Sequence, residues 1–146
     1  MTVKELKLAR EKEIVTATPT TAIIEAMALL LENKISCLPV VDENNKLRGI
    51  ISDKDIFKAI YEHQTDFTDV KLTDIMTADV IVGVEDDDME YISNIMTNNR
   101  IRHVPIVKGD DLHYLVSIGD VVKYRQKDME IENRYLKQYI DGTYPA

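Results

Sequence analysis

Ser36-Cys37-Leu38-Pro39-Val40-Val41 returns further along the chain as Arg102-His103-Val104-Pro105-Ile106-Val107. Each copy is a pair of polar or small residues followed by an apolar-Pro-apolar-apolar run. That reads as a short buried strand entered from solvent. A Ser-x-x-Asp follows each run, Ser52-Asp53-Lys54-Asp55 and then Ser117-Ile118-Gly119-Asp120. An ordered set that occurs twice implies two copies of one structural unit, and a single repeat cannot bury its apolar face alone. The two copies should therefore share a core about a pseudo-twofold axis. The seam between them is a natural place for a ligand cleft.

Outward from these anchors the elements follow by periodicity. Thr2-x-x-Glu5 opens a short helix running to about Lys12. Ile14, Val15 and Ala17 form a short strand, which Thr18-Pro19-Thr20 breaks. Residues Thr21 to Asn33 are helical, with Ile23, Ile24, Met27, Leu30 and Leu31 at spacings of three and four. This helix is apolar almost all round, which predicts that it is more buried than its counterpart in the second copy. Leu38 to Val41, a turn over residues 42–46, and Leu47 to Ile51 make a hairpin. A helix from about Asp53 to Glu62 closes the first copy, and a polar connector runs from His63 to Leu72. The second copy repeats the order: a strand over Asp79 to Val84, a helix capped by Asp87-x-x-Glu90, a hairpin of Val104–Val107 and Leu112–Val116, and a helix from Ile118 to about Ile140. Gly142 caps it and Pro145 forbids continuation. Each half is β-α-β-β-α, an α+β architecture. Residues 1–66 are the first repeat with its lead-in, 67–125 the second, and 126–146 a helical extension.

The chain has 146 residues, enough for a real core. Its net charge is −8, with a cluster at Glu85-Asp86-Asp87-Asp88 and no basic run. That argues against nonspecific nucleic-acid binding and against an acidic membrane surface. The longest apolar stretch, Ala26 to Leu31, is too short to span a bilayer. One cysteine excludes an intrachain disulfide framework. With no signal-peptide core at the start, the expected compartment is the cytoplasm.

Two readings fit each Ser-x-x-Asp. As a capping box, Ser is the N-cap and the acid sits at N3. As a ligand group, the Asp stands at the rim of the sheet beside free N–H groups, where an anion is favoured. There a carboxylate can also accept two hydrogen bonds from vicinal hydroxyls, as acids do for a ribose. Both can hold at once. Arg102 and His103 are either a solvated strand end or donors to phosphate, with Lys54 and Arg100 as further cations. Cys37 and His103 occupy equivalent places and should approach each other across the axis. They supply only two metal ligands, since His63 and His113 lack ligand spacing, so a packed cysteine is the default. There is no Gly-rich phosphate loop, G-x-S-x-G, HExxH or paired CxxC. Asp86-Asp87-Asp88 could attract Mg²⁺, although acids at a helix start more often serve its dipole. In the last helix Val122, Met129 and Leu136 recur every seven residues, but Gln126 and Asn133 between them make a poor coiled-coil seam. It reads as an amphipathic helix packing on its own body or on a second subunit.

Taken together, the Pro junctions, Gly49-Ile50-Ile51-Ser52-x-x-Asp55, Leu115-Val116-Ser117-Ile118-Gly119-Asp120, and Asp74-Ile75-Met76-Thr77 resemble the tandem CBS-domain pair, or Bateman module, over roughly residues 13–125. The resemblance implies two repeats packed through their sheets, with clefts that bind AMP, ADP or ATP, or in some members S-adenosylmethionine, NAD(H) or cyclic di-AMP. It implies a first cleft of Ile50, Ser52, Lys54 and Asp55 with Thr77, Val80, Val82, Ile101, Arg102 and His103. The second would combine Val116, Ser117, Gly119 and Asp120 with Val15, Ile35, Ser36 and Cys37, His103 reaching inward. The Asp would hold ribose, and the β1 region and the residues before Pro would hold base and phosphate. The first copy has no equivalent of Met76-Thr77, and neutral Ser36-Cys37 replaces Arg102-His103. The expectation is a non-enzymatic regulatory module with an adenine nucleotide as regulatory ligand, no obligatory cofactor or metal, a homodimeric state and an unidentified regulated protein. The alternatives are a ligand-free dimerisation or interaction module, and a hydrolase built on the acidic cluster, which no nucleophile–base pattern supports.

Overall fold

Thr2 begins the first helix with reciprocal bonds. Its N–H donates to Glu5 Oε2 (2.9 Å), and the Glu5 N–H donates to Thr2 Oγ1 (3.3 Å). The computed structural model of the protein describes residues 1–9 and 13–142. Helix α1 spans Val3–Ala9; its expected continuation to Lys12, like Pro145, lies outside the described residues. There follow α2 (Ile23–Asn33), β1 (Cys37–Val41), β2 (Leu47–Ser52) and α3 (Asp53–His63). A 3₁₀ turn over Gln64–Asp69 and the short α4 (Leu72–Ile75) occupy the connector. The second half is α5 (Met89–Asn99), β3 (His103–Lys108), β4 (Asp111–Ser117) and α6 (Ile118–Ile140).

Each half carries an antiparallel hairpin, β1 with β2 and β3 with β4. The leading strand expected in each half is reduced to one parallel bridge, Ala17 to Val40 and Gly83 to Ile106. Prolines explain the shortness. Ala17 donates to the Pro39 carbonyl and accepts from Val41, each at 2.9 Å, and Gly83 does the same between Pro105 and Val107. The next bond toward the chain start would need an N–H on Pro39 or Pro105, which neither has. In the first half Pro19 blocks extension the other way too.

The Ser-x-x-Asp segments are capping boxes. Ser52 N–H donates to Asp55 Oδ2 (2.9 Å) and Asp55 N–H to Ser52 Oγ (3.2 Å); Ser117 and Asp120 repeat this at 2.8 and 3.3 Å. The cap of α5 differs from the sequence expectation. Asp88 is the N-cap, accepting from the Glu90 N–H (2.8 Å), while Asp87 accepts from Val84 N–H (2.8 Å) in the preceding turn. Helix α2 starts at Ile23 rather than Thr21, whose Oγ1 instead accepts from the Thr18 N–H in the turn before it. Nor is α2 the more buried helix. It buries Ile23, Ala26 and Leu30 but leaves Ile24 and Leu31 50% and 76% exposed, whereas α5 buries Met89, Ile92, Ser93 and Met96. Only one face of a helix can lie on the hairpin, so apolar residues elsewhere on its circumference stay in water.

The two cores are completed by exchange. Val3 and Leu6 of α1 sit in the core of the second half, with Met89, Ile92, Val104 and Tyr114. Leu72 of α4 sits in the core of the first half, with Ile23, Leu38, Ile51 and Ile56. Backbone bonds fasten α1 to the second half: Val3 N–H to Asp87 and Lys4 N–H to Glu85, both at 3.0 Å, and Met89 N–H to Met1 at 2.9 Å. Lys7 Nζ adds an ion pair with Glu85 (3.2 Å). At the hairpin ends Leu47 N–H donates to Asp110 (2.9 Å), Leu112 N–H to Asn45 (3.1 Å), and Lys46 pairs with Asp111 (2.7 Å). Because Leu72 is fully buried in the half it does not belong to, Leu72→Ala should cost about 2–5 kcal/mol. Urea unfolding should show one transition in which both halves lose stability together; two separated transitions would contradict an exchanged core.

Candidate functional site

Cys37 and His103 are the residues before each Pro junction's first apolar position, and register places them beside the cap serines. Cys37 pairs with Ser52 and His103 with Ser117. Both also line both of two clefts at the seam, so together they form a shared wall.

The first cleft, about 210 Å³, is lined by Ser36, Cys37, Ile50, Ser52, Lys54, Asp55, Thr77, Ile101, Arg102 and His103. Strand alternation turns Ile50 and Ser52 to the cleft and Ile51 to the core. Thr77 arrives by a two-bond bridge to Ile50: Ile50 N–H to the Thr77 carbonyl (2.9 Å) and the reverse (3.0 Å). Gly49 permits that crossing. A Cβ there would stand 2.7 Å from Met76 Sδ and 2.8 Å from the Thr77 carbonyl oxygen. The capping box engages one Asp55 oxygen, Oδ2, which accepts from both Ser52 N–H and Ser52 Oγ. Capping therefore leaves Oδ1 outside the box.

The second cleft, about 330 Å³, is lined by Glu13, Ile14, Val15, Asn33, Ile35, Cys37, His103, Tyr114, Leu115, Ser117 and Asp120. Among the described residues it carries no Lys or Arg, while the first carries Lys54 and Arg102. The cleft with more room is thus not the one with more positive charge.

Most expected residues come together. Ser52, Lys54, Asp55, Ile50, Thr77, Ile101, Arg102 and His103 meet in the first cleft; Ser117, Asp120, Val15, Ile35, Cys37 and His103 meet in the second. Six do not stand where they were expected. Val80 and Val82 line a separate depression of about 240 Å³ with Leu47, Asp79 and Asp110. Ser36 lines the first cleft rather than the second. Val116 is fully buried in the core, and Gly119 is exposed beyond the cleft wall. Arg100, offered as a further cation, is the left-handed cap residue ending α5 (φ 53°) and lines neither cleft. The reading passed over Leu115, Tyr114, Glu13, Ile14 and Asn33. Leu115 was legible: it stands two residues before Ser117, as Ile50 stands two before Ser52, and side chains two apart share a strand face.

Electrostatics separates the two wall residues from reactive chemistry. Burial, then Asp55 and Asp53, push the Cys37 thiol up to about 12, against a smaller opposing effect of Arg102. Burial and then Arg102 hold His103 below its ordinary value, with Asp53 opposing. His103 is therefore neutral at pH 7 and offers a hydrogen bond rather than a charge. No group of three or more His, Cys, Asp or Glu that could hold a metal ion occurs among the described residues. Asp87 and Asp88 spend their carboxylates on backbone N–H groups. No described helix is long and apolar enough to cross a membrane.

Comparison with known proteins gives a consistent result. A family model described as CBS domain matches residues 3–62 and 72–127. The chain is 36% identical over 116 residues to inosine-5′-monophosphate dehydrogenase of Methanocaldococcus jannaschii, covering 79% of this chain and 22% of that enzyme. It is 30% identical over 131 residues to the mitochondrial CBS domain-containing protein CBSX3 of Arabidopsis thaliana, covering 87% of this chain and 64% of that protein. It thus spans only part of these curated relatives. Among solved structures, the CBS-domain containing protein ATU1752 from Agrobacterium tumefaciens superposes with a TM-score of 0.79 at 31% identity, over 86% of this chain and 99% of that one. The CBS domain pair of protein MJ0100, in complex with 5′-methylthioadenosine and S-adenosyl-L-methionine, superposes with a TM-score of 0.76 at 31% identity, over 88% and 98%.

Two outcomes check the site's geometry. Gly49→Ala should cost about 1–3 kcal/mol, because backbone and a packed Met must move, and should loosen Thr77, read as faster amide exchange at Ile50 and Thr77. In the folded protein at pH 8, Cys37 should stay unalkylated by iodoacetamide on a timescale of minutes while the urea-unfolded chain labels; fast labelling of the native form would show an accessible, ionised thiol.

Proposed function

Since this chain belongs to the CBS-domain family, we propose that it is a regulatory module, not a catalyst, which binds an adenine nucleotide in the seam between its repeats. The observation that carries the reading is the composition of the first cleft. Lys54 and Arg102 supply positive charge in a chain of net charge −8, and Asp55 stands at the opposite function, a carboxylate whose Oδ1 the cap does not engage. Arg102 offers a planar fork of donors to phosphate, and Asp55 accepts from ribose hydroxyls. Ser52 touches ribose or phosphate while capping α3. In this reading the second cleft, with Glu13 and Asp120, takes the less anionic adenosyl ligand of the two. The complex of the MJ0100 pair with two adenosyl compounds supports an adenosyl ligand class.

The module acts as a homodimer. Ile24 and Leu31 on α2, and Phe57 and Tyr61 on α3 at 75% and 77% exposure, leave apolar surface in water, and such surface marks association sites. A ligand that bridges the repeats favours one arrangement of the two subunits, and a regulated partner protein responds to that population shift. The alternative, an interaction module with no ligand, treats Ser52–Asp55 and Ser117–Asp120 as caps alone.

A thermal-shift panel of AMP, ADP, ATP, S-adenosylmethionine, NADH and cyclic di-AMP separates them. A ligand present at ~100 times its Kd adds about 2.7 kcal/mol. Asp55→Ala should lower affinity for the stabilising nucleotide at least about tenfold, beyond the ~1 kcal/mol lost with the cap. A flat panel, with Asp55→Ala changing stability only, favours the interaction module. The pH dependence follows from His103. A neighbouring phosphate stabilises the imidazolium and raises its pKa, so binding takes up a proton. Affinity by calorimetry should therefore rise as pH falls below about 6.5, and His103→Asn should flatten that slope. The free protein changes oppositely: a histidine held below its unfolded value loses stability as pH falls through the same window.

A further inference from the structure

Helix α6 is 23 residues long, about 35 Å, and among the described residues its first two turns carry its buried contacts with the body. Asp120 and Val121 are buried, Tyr124 packs on the second core, and Arg125 Nη2 donates to Ser93 Oγ (2.7 Å) and pairs with Glu90 (3.3 Å). Every residue from Arg125 to Ile140 is exposed. Most helical stability in proteins comes from packing of an amphipathic face. Yet α6 carries Met129 at 61%, Leu136 at 51% and Ile140 at 80% exposure, continuing from Val122 at 48%.

We infer that this stripe is the seam of a parallel two-stranded coiled coil with a second copy of the chain. The argument is charge complementarity. With Val122, Met129 and Leu136 as d positions, the a positions are Gln126, Asn133 and Ile140, the e positions Lys123, Glu130 and Lys137, and the g positions Arg125, Glu132 and Tyr139. A parallel pair sets each g beside the e of the second copy five residues on. Glu132 then meets Lys137 of the second copy, and symmetry makes that attraction twice, while Arg125 stays on Ser93 and Glu90 of its own body. An antiparallel pair sets e against e, placing Lys123 near Lys137 and Glu130 near Glu130. The residues on the body, Asp120, Val121 and Tyr124, are b, c and f, on the side away from the seam, so the bodies lie outside the pair. Gln126 and Asn133 weaken an apolar seam, but in a parallel pair each meets its own copy. A buried Asn at a specifies two strands in register at a cost in stability. The polar positions that make this a poor autonomous coiled coil thus suit a seam supported by the bodies of a dimer.

This inference rests on the proposal that the chain dimerises and not on which ligand fills the clefts. The test uses the full chain and sedimentation velocity over a dilution series. Met129→Glu with Leu136→Glu should weaken the dimer at least about tenfold, while Ile131→Glu, at the outward f position, should leave it unchanged. Asn133→Cys in a Cys37→Ser background should form a disulfide-linked dimer under mild oxidation. Glu132→Lys should weaken the dimer and Lys137→Glu in addition should restore it. A monomeric wild-type chain overturns both this inference and the dimeric reading. A dimer indifferent to Met129→Glu/Leu136→Glu, without cross-linking at position 133, overturns the inference alone and assigns dimerisation to the bodies. Loss of the dimer on Ile131→Glu alone would also overturn it, placing the contact on the opposite face.

Discussion

Val3 and Leu72 are both fully buried, each in the core of the repeat other than the one its own helix leads into. Neither repeat has a complete core without the other's lead-in, and the rest of the structure depends on that. A hairpin with one helix on each side is too small to bury its apolar face. Exchanging α1 and α4 closes both cores and holds the repeats in one orientation. The hairpin turns, joined through Asn45, Lys46, Asp110, Asp111 and Leu112, pin the far end.

The same symmetry that makes two clefts makes them unequal. Cys37 and His103 stand at equivalent register positions and face both clefts, so a ligand in either meets the same wall. The charged residues are not shared. Arg102 stands where the first repeat has Ser36, yet both line the first cleft, and that concentrates positive charge on one side of the axis. A duplicated fold with unduplicated charge gives two clefts of different electrostatic character.

Legibility in the sequence differed by the kind of residue. The capping boxes were readable because they are local: four consecutive residues satisfy one another's backbone groups whatever lies around them. The hairpins were readable from the apolar runs and the turns. Val116 faces the core and Leu115 the cleft, since alternation back from Ser117 selects Leu115 as it selects Ile50 back from Ser52. Val80 and Val82 line a separate depression for a different reason. Thr77 is anchored to β2 by its bridge to Ile50, but the chain beyond it turns away to reach Gly83, and no pattern in residues 78–82 encodes that direction. The greater burial expected for α2 failed because composition counts apolar residues but not the area available to cover them.

What the sequence determined by itself is the repeat, the order of its helices and hairpins, and the serine–aspartate caps, since these rest on periodicity and on local hydrogen bonds. It also carried most of the cleft residues, through the family pattern they form. Only the tertiary structure decided which repeat each lead-in helix completes, which cations face a cleft, and that α6 is exposed from Arg125 to Ile140. Those outcomes depend on contacts between residues far apart in the chain, where burial and approach are set by the packing of whole elements and not by the preferences of neighbours.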